Sequence, residues 1–145
     1  DDEGYAQWKP QLQDKIVSFD NIEKELGFHI HTQIKEFLST YWFLSLDGMV
    51  QSSRGKVNLR LNGITPYVVL DTLIRNNFDD EETHFLHDHK YFLIGTYCMI
   101  GCNDSYLVQV NNDTGEVTAV DVMEKISVKL ADSIEELLIN MKGIW

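Results

Sequence analysis

The chain has 145 residues, of which 43% are apolar and 24% charged, enough to bury a real core within one domain. Twelve basic side chains face 23 acidic ones, a net charge of −11. Such a field repels phosphate backbones and anionic lipid and draws in basic proteins, which argues against direct nucleic-acid or lipid binding; plain solubility accounts for it equally well.

In chain order, Asp1 to Pro10 is polar and expected to be loosely ordered, and Leu12 to Val17 is too short to assign. Asp20 is placed to cap a short helix through Glu25, with Gly27 ending it. A second helix follows, because Ile30, Ile34, Phe37, Leu38 and Tyr41 recur on one helical face while Gln33, Lys35, Glu36, Ser39 and Thr40 fill the other. The period then changes to two. Met49 to Ser53 and Lys56 to Leu61 read as a hairpin turning at Arg54-Gly55, with Val57, Leu59 and Leu61 alternating against Lys56, Asn58 and Arg60. Thr65-Pro66 predicts the start of a third helix, running to about Arg75 and burying Val69, Leu70, Leu73 and Ile74. Asn76 to Glu82 is a polar loop or the start of another short helix.

Tyr91 to Met99 is nearly all apolar, as a central strand covered on both faces would be. Tyr106–Val110 and Glu116–Val120 are strands joined by Asn111-Asn112-Asp113-Thr114-Gly115, a hairpin loop, and Ile126 to Leu130 alternates again. Ser133-Ile134-Glu135-Glu136 is a capping box that opens a last helix burying Leu137, Leu138 and Met141. The expected fold is α+β: a single antiparallel sheet with helices packed at the N-terminus, middle and C-terminus, and no βαβ alternation.

Few residues carry a catalytic signal. Cys98 and Cys102 are four apart without a partner motif and read as buried thiols. His84, His87 and His89 around Asp88 lack the spacing of catalytic zinc sites and read as a surface turn. There is no Gly-x-Ser-x-Gly turn and no phosphate-cradling Gly-rich loop, so neither catalytic residues nor a cofactor or metal is expected. No apolar run approaches the ~18 residues of a membrane span. The chain opens Asp1-Asp2-Glu3, unlike a signal peptide; it does not begin with Met, so a removed targeting segment stays open.

The acidic run Asp79-Asp80-Glu81-Glu82 is either a solvated loop or a docking edge for a basic partner. On the docking reading, Asp47, Asp71, Asp88 and Asp104 extend it, and Trp42, Phe43 and Tyr97 are candidate aromatic anchors, with Trp42 and Tyr97 preferred.

A family resemblance gives this reading content. Phe92-Leu93-Ile94-Gly95-Thr96, Asp104 to Val110, Thr114-Gly115-Glu116-Val117 and Ser133 to Leu138 resemble the back half of the SUKH superfamily. Trp8-Lys9-Pro10, Ile30-His31-Thr32, Tyr41-Trp42 and Asp47-Gly48-Met49 are similar to its Syd-like branch, although that branch has Gly-Asp-Met where this chain has Asp-Gly-Met. The segment between the hairpin and Tyr91 is also shorter and reworded. The resemblance implies binding without catalysis. SUKH proteins act as immunity proteins in bacterial polymorphic-toxin and contact-dependent inhibition systems, where each neutralises a cognate toxin, often a nuclease. The Syd-like branch is linked instead to SecY at the cytoplasmic membrane face. Both imply a cytoplasmic protein, peripheral to the inner membrane in the second case, and a monomer is expected. An acidic surface suits either partner, since a nuclease is basic where it holds phosphate and SecY has basic cytoplasmic loops.

Overall fold

Alternation along the strands places the core. In a computed structural model describing residues 11–14, 16–52, 55–78, 91–99, 106–121 and 126–141 (side chains at 52, 55, 97–99, 106 and 126 apart), six strands form one antiparallel sheet in sequence order. They are β3 (Leu46–Ser52), β4 (Gly55–Leu61), β5 (Tyr91–Met99), β6 (Tyr106–Asn111), β7 (Val117–Asp121) and β8 (Ile126–Ala131). The sheet curls, bringing its edge strands β3 and β8 near one another. The register sets Leu61, Gly95, Val108 and Ala119 in one row and Phe92, Val110, Val117 and Ala131 in another. Each of these residues is buried, as period-two alternation on a half-covered sheet requires. The fold is α+β, with a second, minor ribbon of β1 (Gln11–Leu12) against β2 (Tyr41–Trp42).

Among the described residues four helices share this core: α1 (Asp20–Leu26), α2 (Thr32–Ser39), α3 (Leu70–Phe78) and α4 (Ile134–Asn140). They contribute Ile22, Ile34, Leu38, Ile74, Phe78, Ile134 and Leu137, all buried. Phe78 links helix to sheet, its ring 5.0 Å from Phe92 and 5.2 Å from Phe28. Among the described residues, ion pairs join the helices. Arg75 holds Glu25 with both guanidinium arms, tying α3 to α1, and Lys35 Nζ lies 3.0 Å from Glu23 Oε1, tying α2 to α1.

Several boundaries differ from the sequence-based expectation, each for a local reason. Asp20 is the first helical residue of α1 and not its cap; Phe19 occupies that position with no side-chain cap bond. Gly27 does end the helix, in the left-handed region at φ 82°. Gly55 pairs with Ser52 and so belongs to β4, not to the turn. The third helix begins at Leu70, since Pro66-Tyr67 forms a separate turn, and Val69 is 67% exposed, not buried. Tyr41 leaves the α2 apolar face because the chain turns extended after Thr40 to pair with Leu12. The N-terminal ten residues, the histidines at 84, 87 and 89, and Cys102 lie outside the described residues, as does the Cys98 side chain.

Candidate docking surface

Of the residues expected to meet a partner, those that the structure describes are placed on separate elements. Asp47 faces Arg60 across the β3–β4 register, and the guanidinium grips its carboxylate with Nε to Oδ1 at 2.7 Å and Nη2 to Oδ2 at 3.1 Å. That bidentate bond raises the Arg60 pKa and neutralises Asp47 locally, leaving it a weaker attractant than the sequence suggests. Asp71 is exposed in the first turn of α3, where a carboxylate suits the helix dipole and lies near Arg75 one turn on. Trp42 is half-buried on the β1–β2 ribbon and packs against the core. Tyr97 is opposite Leu59 and Tyr106 in the sheet, its side chain outside the described residues. Asp79, Asp80, Glu81, Glu82, Asp88 and Asp104 also lie outside them.

A different surface comes together between α2 and α4. The N-terminal ends of these helices are joined to each other by one side-chain bond, and that of α2 is also tied to Asn112 in the loop after β6. His31 caps α2, its Nδ1 accepting from the Gln33 N–H at 3.1 Å, so that nitrogen carries no proton. Its own N–H donates to Asn112 Oδ1 at 2.8 Å, while Asn112 Nδ2 donates to the His29 carbonyl at 2.7 Å. Gln33 Oε1 accepts from the Ile134 N–H at 2.8 Å, pinning the start of α4. Ser133 completes that end by accepting from the Glu136 N–H at 3.0 Å.

Beyond this junction an open groove of about 670 Å3 runs between the helices, floored by Leu46, Phe43 and Phe37. The Phe37 and Phe43 rings meet edge to face with centroids 5.6 Å apart. Phe43 is held there by a reciprocal backbone bridge to Ile64, both bonds 2.9 Å. Leu138 and Ile139 form the α4 wall, 41% and 74% exposed, and Tyr41 lies at one margin, 47% exposed. Leu138 was expected in the core; a helix turning about 100° per residue cannot point Leu137, Leu138 and Ile139 all inward, and Leu137 takes the buried position. Glu36 on α2 and Glu135 on α4 add carboxylates to the lining, which contains no Lys or Arg. Among the described residues neither glutamate has an ion-pair partner.

The sequence reading missed this groove. Its one sequence signal was the apolar run Leu137-Leu138-Ile139, too wide for one buried stripe, and α2 gave no hint that Phe37 and Tyr41 would border a cleft.

The model of the Syd protein (SUKH-2) family matches residues 1–143 of the chain. The chain belongs to the Syd (SUKH-2) family. It is also similar to Protein Syd of Shewanella frigidimarina (strain NCIMB 400), 25% identical over 136 residues that cover 90% of this chain and 57% of that protein. The chain therefore spans little more than half the length of this Syd relative. Among the described residues, no His, Cys, Asp and Glu side chains group as metal ligands, and no helix is long and apolar enough to cross a membrane.

Proposed function

We propose that this Syd-family chain is a non-catalytic binding protein that neutralises a cognate bacterial toxin by capping a basic surface on it, with a nuclease as the expected toxin class. The observation that carries the reading is the α2–α4 groove: exposed apolar walls beside two glutamates that have no ion-pair partner among the described residues, in a chain of net charge −11. Apolar contacts supply most of the affinity in such an interface, and opposite charge supplies orientation and encounter rate. Asp71, the acidic run 79–82 and Asp104 would extend the attractive field, with Trp42 and Tyr97 as further anchors. Asp47 contributes less, being held by Arg60.

The test is co-expression with the toxin domain encoded directly upstream. The expected result is a complex stable through size-exclusion chromatography and survival of toxin-expressing cells. A toxin that elutes alone and kills cells despite abundant folded protein would overturn the reading.

The match to the Syd model in particular favours a second reading, in which the basic partner is SecY at the cytoplasmic membrane face. It predicts retention on SecY-containing membranes at low salt, lost by 0.5 M salt and weakened by neutralising residues 79–82. Equal retention on membranes depleted of SecY removes it.

A further inference from the structure

We infer that Asn62-Gly63 is a self-modification site, where the Asn62 side chain cyclises onto the Gly63 nitrogen and hydrolysis leaves an isoaspartyl link that releases the Phe43–Ile64 bridge. This goes beyond the binding role and does not depend on which partner the chain meets. Among the asparagines, Asn62 alone precedes a glycine, whose missing side chain leaves the attacking nitrogen unshielded. Asn62 follows Leu61, the last residue of β4, and is exposed; among the described residues nothing hydrogen-bonds its side chain. The Gly63 N–H also donates to no acceptor among them, although its neighbours do. The Asn62 N–H donates to the Ile94 carbonyl at 2.8 Å and the Ile64 N–H to the Phe43 carbonyl at 2.9 Å. A free carboxamide beside a free amide nitrogen closes a five-membered ring, where proximity replaces a bimolecular encounter. No bulkier residue at 63 can shield that nitrogen, because a Cβ there would overlap the Leu44 carbonyl. Asp47-Gly48 is a related dipeptide that the fold protects. Gly48 lies opposite Leu59 in the β3–β4 ladder and Arg60 grips the Asp47 carboxylate at 2.7 and 3.1 Å, so ring closure there would first break that grip.

The reaction balances with water as its only co-reactant. Hydroxide removes the Gly63 amide proton, and the nitrogen adds to Asn62 Cγ. The bond from Cγ to the carboxamide nitrogen breaks, and that nitrogen leaves as ammonia after taking a proton from water, which restores the hydroxide. A second water then opens the succinimide at either carbonyl. One opening gives aspartate; the other gives isoaspartate, in which Cβ has entered the main chain. Each product adds a negative charge. The structural consequence is local. Position 62 lies between two anchors, its own bond to Ile94 and the reciprocal Phe43–Ile64 bridge. The isoaspartyl link inserts one main-chain carbon between them, so both cannot keep their register. The Ile94 bond adjoins the β4–β5 ladder, whereas the Phe43–Ile64 bridge stands alone, so the bridge gives way. Its loss frees Phe43, whose ring packs 5.6 Å from Phe37 on the groove floor.

The test incubates the folded protein, warm and in mildly alkaline buffer, beside the same chain unfolded in urea, and follows both by peptide mass mapping. The expected result is a gain of one mass unit confined to the peptide that contains position 62, split between aspartate and isoaspartate and faster as pH rises. The folded chain is expected to react within about tenfold of the unfolded rate, since nothing holds the two reacting groups apart. Asn62→Gln, whose ring would have six members, is expected to show no gain at that position. In the isolated isoaspartyl form, hydrogen exchange at the Phe43 and Ile64 amides is expected to quicken at least about tenfold. Freshly purified Asn62→Asp carries the charge without the added carbon and should exchange there as the parent does. A folded chain that reacts more than about tenfold slower than the unfolded one would overturn the inference. So would earlier modification at another asparagine, parent-like exchange at Phe43 and Ile64 in the isoaspartyl form, or equally fast exchange in Asn62→Asp.

Discussion

The two ends of the α2–α4 pair are built on opposite principles. At the N-terminal end, polar groups more than 80 residues apart are matched one to one: Asn112 serves both the His31 N–H and the His29 carbonyl, and Gln33 serves the Ile134 N–H. From there along the helices, Phe37, Leu138 and Ile139 flank an open groove, with Glu36 and, at the α4 start, Glu135 beside them. A partly buried polar junction restricts geometry, since a shift leaves a donor or acceptor unsatisfied. An apolar cleft tolerates many geometries. The junction therefore keeps the helices in register, and the cleft is left available for a partner.

The largest expected effect comes from breaking the junction. Asn112 is 8% exposed, and Asn112→Ala strips partners from two backbone groups at once. Loss of about 3 kcal/mol in urea unfolding is expected, at 1–3 kcal/mol per unsatisfied buried group. A loss below about 1 kcal/mol would mean that water replaces the side chain and that the junction is not what holds the helices.

Gly115 comes next. It sits at φ 80°, and a Cβ there would lie 2.9 Å from His31 Cε1 and 3.0 Å from Gln33 Nε2, side chains already committed to the junction. Gly115→Ala is expected to cost about 2 kcal/mol, combining left-handed strain with displacement of His31. Gly27 has a similar φ, 82°, but open space around the added Cβ, so Gly27→Ala isolates the strain, about 1 kcal/mol. Thermal unfolding of the two variants separates backbone strain from the junction's packing.

The Glu23 carboxylate, 9% exposed, gives a pH test on the neighbouring α1–α2 contact. Burial, the largest single influence, pushes its pKa up, but hydrogen bonds from Lys35, the Ile30 N–H and His29 together hold it below the usual carboxylate value. A depressed folded pKa means that its stabilisation is complete above the unfolded value of about 4.3 and is lost as pH falls through the folded one. The stability gap between the parent and Glu23→Gln should therefore be widest near neutrality and shrink below about pH 4, read from urea midpoints across that range. A gap that widens on acidification would reverse the assignment.

The smallest stability effect belongs to the groove. Ile139→Lys should move unfolding by no more than about 0.5 kcal/mol, because the residue is mostly exposed. A loss of 2 kcal/mol or more would make Ile139 part of the core and erase the contrast between the two ends.

Sequence alone determined the elements and the core wherever one local rule governs. Val57, Leu59 and Leu61 alternate and are buried; Ile34 and Leu38 are a helical turn apart and fully buried; Gly27 ends α1 and Ser133 opens α4 by their own chemistry. The family motifs were legible for a related reason, since Ile30-His31-Thr32 and Thr114-Gly115-Glu116-Val117 combine in one contact, where Gly115 packs against His31. Tertiary structure decided what sequence distance hides. Asp47 is legible as an acid, but its neutralisation by Arg60 depends on strand register. Tyr41 and Leu138 fit their helical patterns as core residues, yet pairing with β1 draws one away and the angular limit of α4 turns the other outward. The groove exists because residues 33–46 and 134–139, about 90 positions apart, are brought together by the shared core and by the long-range bond of Gln33 to the Ile134 N–H. No period along the chain encodes that proximity.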